Sequence, residues 1–179
     1  MALNEAKQNE TMPGWQHDVY DVLRAHDVTQ FSYVPDAGHI ILIDLSIADR
    51  DVHSIALTTE EEGVALAAGA NLGDARAVLL MQSSGVGNCI NFLSLMKGGK
   101  FPLLTLISMR GEFGEGNPWQ MAMGQAVRPV LEAMGVICMD VTEPDEAVPT
   151  VEAAATMAYK ANNAVAVLLT QKLLGAKVF

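Results

Sequence analysis

The sequence predicts an α/β fold: a mainly parallel, six-stranded sheet with helices on both faces. Three observations predict it. Short apolar runs bounded by turn residues recur along the chain, as in ARAVLLM (75–81), FPLLTLIS (101–108) and AVAVLLT (164–170). Unbroken apolar runs of this length suit strands buried on both faces. Between them lie segments with helical spacing or a high density of small residues, so strand and helix alternate. A strand followed by a helical crossover returns parallel to its neighbour.

The elements follow in order. Residues 1–13 read as a flexible tail that ends at Pro13-Gly14, and 14–179 as one domain. From Trp15 to His26, the spacing of Trp15, Val19, Val22 and Leu23 predicts an amphipathic helix. Phe31–Val34 reads as a strand stopped by Pro35-Asp36-Ala37-Gly38, with a helix from His39 into the Ile47 region. Val52–Leu57 is the next strand, and the Ala- and Gly-rich Glu60–Leu72 the next helix. Ala75–Met81 is a buried strand, QSSGVGN (82–88) a loop, and Cys89–Met96 a helix. Phe101–Ser108 is a strand and RGEFGEGNP (110–118) a Gly-rich loop. A helix from Gln125 to Met134 ends at Gly135, a suitable C-cap. Val136–Val141, Pro144–Ala161 and Ala164–Thr170 complete the series as strand, helix and strand. Ligands of such folds bind at the carboxyl ends of the strands. The loops to watch are therefore 35–38, 58–62, 82–88 and 110–120.

Composition narrows the function. Only 18% of the residues are charged and half are hydrophobic, against an average charged fraction of about 25%. That balance predicts apolar surface covered by a partner chain. The net charge of −10 argues against nucleic acid, whose phosphates recruit Lys and Arg. It leaves room for a small anionic substrate held by one local Arg or a helix N-terminus. Cys89 and Cys138 form no CxxC pair, disulfide framework or zinc spacing. The polar start MALNEAKQNE is not a signal peptide, and no apolar run spans a membrane, so a cytoplasmic protein is expected.

Four groups of residues carry candidate chemistry. Glu60-Glu61-Glu62 stands at a strand-to-helix junction, where carboxylates also serve the helix dipole. Three adjacent carboxylates cannot all be buried, so at most one faces a site. In Gln82–Asn88, two glycines permit close backbone approach, and Asn88 or Ser84 is placed to cap the next helix. The segment is neither a P-loop nor the dinucleotide fingerprint. Arg110 ends a strand and suits a bidentate oxyanion, or else an ion pair with Glu112 or Glu115. His17, His26, His39 and His53 show no metal or triad spacing and read as structural.

Taken together, TTEEEGVALAAGANLG (58–73), VLLMQSSGVGN (78–88), LLTLISMRGE (103–112) and NPWQMAMGQAVRPVLEAMGV (117–136) resemble the pyrimidine-binding domain of thiamine-diphosphate-dependent decarboxylases. Within that group the likeness is to the sulfopyruvate and phosphonopyruvate decarboxylases. The last segment points to the separate α-subunit form. The resemblance implies a glutamate that contacts N1′ of the cofactor's aminopyrimidine. It falls on Glu60, nine positions before Gly69, with Glu61 as the fallback. Thr59 and Gln82 are the other implied cofactor contacts, and Asp36, Gln82, Ser83 and Arg110 the implied substrate contacts. The family's Gly-Asp-Gly motif, which holds Mg2+ and the diphosphate, does not occur here, and Asn162-Asn163 reads as a turn. The resemblance thus implies thiamine diphosphate as cofactor, no metal ligand on this chain, and Mg2+ held by a β subunit in an α2β2 or larger assembly. The implied reaction is decarboxylation of a small anionic 2-oxo acid, 3-sulfopyruvate to sulfoacetaldehyde and CO2. Phosphonopyruvate, another 2-oxo acid, carboligation and a non-catalytic regulatory domain are the alternatives.

Overall fold

A computed structural model describes residues 14–176. The tail expected over 1–13 lies outside the described residues. The chain runs α1 (Trp15–Ala25), β1 (Val28–Tyr33), α2 (Ile40–Ala48), β2 (His53–Ala56), α3 (Glu60–Leu72), β3 (Arg76–Gln82), α4 (Val86–Cys89), α5 (Leu93–Gly99), β4 (Leu103–Ser108), α6 (Pro118–Ala133), β5 (Ile137–Val141), α7 (Ala147–Ala161), β6 (Ala164–Leu169) and α8 (Gln171–Leu174). Single 3-10 turns cover Ala37–His39, Ser83–Gly85 and Pro144–Glu146. The six strands form one sheet in the order β2-β1-β3-β4-β6-β5. Every pairing is parallel.

The apolar runs explain the sandwich. Along β3, Val78 and Leu80 face one layer and Leu79 and Met81 the other. In β6, Val165, Val167 and Leu169 alternate likewise with Ala166 and Leu168. The first layer is filled by α1, α2 and α7, through residues such as Leu23, Leu42 and Val151. The second is filled from α3 to α6, through Val64, Val86, Leu93, Val127 and Leu131. Each fully buried Leu or Val contributes about 1.5–3 kcal/mol of transfer free energy. Two apolar layers over a sheet rich in Val and Leu hold β3, β4 and β6 at the centre.

Several boundaries differ from those expected. β1 begins three residues early, because Asp27 takes φ +56° and turns the chain directly out of α1. Residues 83–99 form a 3-10 turn and two short helices, where a loop and one helix over 89–96 were expected. α6 starts at Pro118, seven residues before Gln125. Its start signal is local: the Asn117 side chain accepts from the Trp119 amide at 3.1 Å, and Pro118 sits at the first helical position. Trp119 and Met121 are exposed, so the first turn lacks an apolar stripe and the periodicity concealed it. Asn162 is the left-handed C-cap of α7, in keeping with the turn expected there. Among the described residues, no helix is long and apolar enough to cross a membrane.

Candidate active site

The carboxyl edge of the sheet gathers the candidates. Gln82 ends β3 and Ser108 ends β4, and the two are register partners. Asp36 follows β1 and reaches both. Its Oδ1 accepts from Gln82 Nε2 at 3.2 Å, and its Oδ2 from Ser108 Oγ at 2.5 Å and the Gly38 amide at 3.1 Å. Gly38 is required there, since a Cβ would strike the Ser108 side chain. Ser83 is fully buried, and its Oγ accepts from the Arg110 amide at 3.1 Å. The loops after β1, β3 and β4 are thereby joined through side chains, and four of the substrate candidates fall in one cluster.

Arg110 is held by a neighbour. Its Nε and Nη2 donate to the Glu115 carboxylate at 2.5 and 2.7 Å. Glu115 also accepts from the Gly111 and Asn117 amides and from Gln171 Nε2. These donors, Arg110 first, hold its carboxyl well below the usual range, at about 2. Buried Gln171 returns two bonds to the same loop, accepting from the amides of Glu112 and Phe113. The Gly-rich segment 110–117 is therefore latched around one carboxylate. α6 seals it from the other side: Gln125 Nε2 donates to the Gly111 carbonyl, and a Cβ on Gly124 would overlap the Arg110 carbonyl. Gly111 takes φ +78° and a Cβ there would strike the Gln120 carbonyl, so the Gly of MRGE and the Gly of QMAMG are each required by this packing.

A second group forms at the head of α3. The three carboxylates separate as sterics require. Glu62 is exposed and accepts from the Thr58 amide at 2.9 Å. Glu61 is half-buried and accepts from the Thr59 hydroxyl. Glu60 alone is buried, at 8% exposure, and accepts from Asn88 Nδ2 at 2.8 Å. Its carboxyl lies over Gly85, where any Cβ would collide with it. Gly63 lets the same first turn sit directly on Leu79 of β3. The sequence reading placed Asn88 or Ser84 as a helix cap. Instead, Asn88 lies inside α4 with its amide on Glu60, and Ser84 donates to Gln82 Oε1 at 2.9 Å. Thr59 is the N-cap residue of α3, its hydroxyl taken by Glu61.

The segment Gln82–Asn88 thus connects the two groups: its first half touches Asp36 and Arg110, and its second half touches Glu60. Sequence reasoning passed over Ser108, Glu115, Gln171 and Asn88 as site residues. Glu115 reads in the sequence only as a partner for Arg110, and the others make contacts across 28 to 72 positions that no local pattern encodes. Cys89 is buried beside Glu60, and burial, with the charges of Glu60 and Glu61, pushes its thiol up to about 12. It therefore stays neutral. His39 is fully buried with Nε2 against the Met81 carbonyl, and burial lowers its pKa, in keeping with a structural role. No cluster of three or more His, Cys, Asp or Glu placed to hold a metal ion occurs among the described residues.

A buried carboxylate against a Cβ-free seat fits a flat heterocycle with a basic nitrogen, as the pyrimidine of thiamine diphosphate has. The parallel sheet with helices on both faces has the pyrimidine-domain fold of thiamine-diphosphate-dependent enzymes. The chain is 36% identical over 152 residues to sulfopyruvate decarboxylase subunit alpha of Methanococcus maripaludis, covering 84% of this chain and 91% of that one. It is 33% identical to the subunit of the same name from Methanocaldococcus jannaschii, covering 84% and 89%. The chain belongs to the sulfopyruvate decarboxylase α-subunit family. No family model matches it. The fold is shared with a 2-oxoglutarate:ferredoxin oxidoreductase from Magnetococcus marinus, at a TM-score of 0.73 and 14% identity over 90% of this chain and 29% of that chain.

Proposed function

We propose that this chain is the α subunit of a thiamine-diphosphate-dependent carboxy-lyase that converts 3-sulfopyruvate to sulfoacetaldehyde and CO2. The relatives named for that activity match along most of both chains. The observation that carries the site assignment is the separation of the Glu60–Glu62 triplet, in which only Glu60 turns inward. Bound thiamine diphosphate supplies the electron sink that lets a 2-oxo acid release CO2.

This chain's residues then have distinct tasks. Glu60 would hold a proton at the pyrimidine N1′, and Thr59 and Gln82 would help to hold the same ring. Asp36, Gln82, Ser83 and Arg110 face the substrate, and Arg110 supplies the positive charge for its carboxylate or sulfonate. Arg110 is latched to Glu115 in the chain alone, so engaging substrate involves sharing or exchanging that carboxylate. A β subunit carries Mg2+ and the diphosphate site, in an α2β2 or larger cytoplasmic complex. The "subunit alpha" names of the relatives support a partner chain. So does the exposure of Trp119 (90%) and Phe113 (54%) beside the latched loop.

The test is decarboxylation of sulfopyruvate with thiamine diphosphate and Mg2+, using this chain alone and mixed with the product of the neighbouring reading frame. Activity in the mixture alone supports the split site. Turnover by this chain alone would overturn it.

A further inference from the structure

We infer that Asn88 is the positioning residue for Glu60: its amide pins one carboxylate oxygen and so determines which oxygen meets the cofactor's pyrimidine. This rests on the reading that Glu60 works at that ring.

The terminal torsion of a glutamate is broad, so a carboxylate on the first turn of a helix has no intrinsic preference for one oxygen. Two features remove that freedom. Asn88 Nδ2, which can only donate, holds Oε2 at 2.8 Å. The carboxyl carbon and Oε1 lie over Gly85, where no side chain competes for the space. Among the described residues Oε1 has no hydrogen-bond partner, so it is the oxygen left to act. Glu61 is occupied by the Thr59 hydroxyl and the Cys89 thiol is neutral, so neither competes for the Asn88 amide. Asn88 is itself fixed by α4, whose Val86 and Cys89 are buried under the sheet. Strand β3 thus sets α4, α4 sets the amide, and the amide sets the glutamate. None of this requires Asn88 to touch cofactor or substrate.

The experiment is a double-mutant cycle in the complex with the partner subunit. The readouts are the dissociation constant of thiamine diphosphate, from quenching of tryptophan fluorescence, and kcat and KM for sulfopyruvate. Asn88→Ala is expected to weaken thiamine diphosphate binding and lower kcat, each by about tenfold, the size of one hydrogen bond to a charged group, with KM little changed. In the Glu60→Ala background the same substitution is expected to change nothing further. Asn88→Asp keeps the shape, removes the donor and adds a charge against Glu60, so it is expected to lose at least as much. If Asn88→Ala fails to fold, this isosteric variant carries the cycle. An Asn88 effect of equal size in both backgrounds, or none in the parent, overturns the inference. If Glu60→Ala itself leaves affinity and kcat unchanged, the reading of Glu60 fails instead, and the two failures are distinguishable.

Discussion

Arg110 and Glu115 form a two-point ion pair, Nε and Nη2 on the two carboxylate oxygens at 2.5 and 2.7 Å, and the Gly-rich loop between them is folded around it. The Glu115 side chain is 1% exposed and that of Arg110 13%, so solvent screens the pair little. The pair ties Arg110, just past the carboxyl end of β4, to the far side of the loop that follows.

Glu115→Gln should therefore destabilise the chain by about 2 kcal/mol, the scale of charge-assisted hydrogen bonds, or about 4–8 °C in Tm for a domain of this size. The pH dependence follows from the sign of the shift. The Glu115 carboxyl is lowered from 4.5 to about 2 in the folded chain. Its contribution is full above the ordinary value and is lost as pH falls from there toward 2. Thermal melts of the parent and the variant should differ most near neutral pH and converge on acidification. A constant gap down to the acid limit would show that Glu115 is not the ionised acceptor of this latch.

Glu60→Gln should reduce kcat by about 10²–10⁴-fold, the range for loss of a positioned proton-transfer group. Subunit assembly, followed by size-exclusion chromatography, should be intact. Glu61→Gln should stay within a few-fold of the parent, because Glu61 faces the Thr59 hydroxyl rather than Asn88. The reverse ranking would move the role to Glu61.

Much of this architecture was legible in the chain. The runs around Val78, Leu104 and Val167 are apolar at most positions and short between turn residues, which suits strands covered on both faces. The start of α3 at Glu60 and its end at Leu72 coincide with Thr58-Thr59 and Gly73, both turn signals. α6 was read late because its capping pair, Asn117-Pro118, precedes exposed apolar residues that carry no periodicity. The site was legible as a set of loops but not as a set of bonds. That Glu60 rather than Glu61 turns inward depends on the absence of a Cβ at Gly85, and the engagement of Asp36 depends on Ser108, 72 positions away. Such contacts are fixed by the sheet order, which no local pattern states.

Glycine substitutions separate space from flexibility. Gly85→Ala places a methyl group on the Glu60 carboxyl, so thiamine diphosphate affinity and kcat should fall together. Gly98 sits in α5 with nothing near its would-be Cβ. Gly98→Ala should raise the stability of the isolated chain by about 0.5–1 kcal/mol, because alanine loses less backbone entropy in a helix. Calorimetry and cofactor titration distinguish the two. Equal behaviour of both variants would remove Gly85 from the seat of Glu60.

Arg110 has two possible tasks, and one pair of variants separates them. Arg110→Gln leaves the Glu115 carboxylate buried without its main partner, so the single variant should lose stability whichever task is real. Arg110→Gln combined with Glu115→Gln removes both charges, and replacing a complete ion pair by neutral groups of similar volume is often close to neutral. The double variant should therefore regain most of the lost Tm. If Arg110 also grips the substrate anion, KM for sulfopyruvate should remain raised by about ten- to a hundredfold in the double variant, since one charge-assisted contact is still missing. If KM returns to the parent value along with the stability, Arg110 serves only to hold the loop, and the anion must be met by the partner subunit.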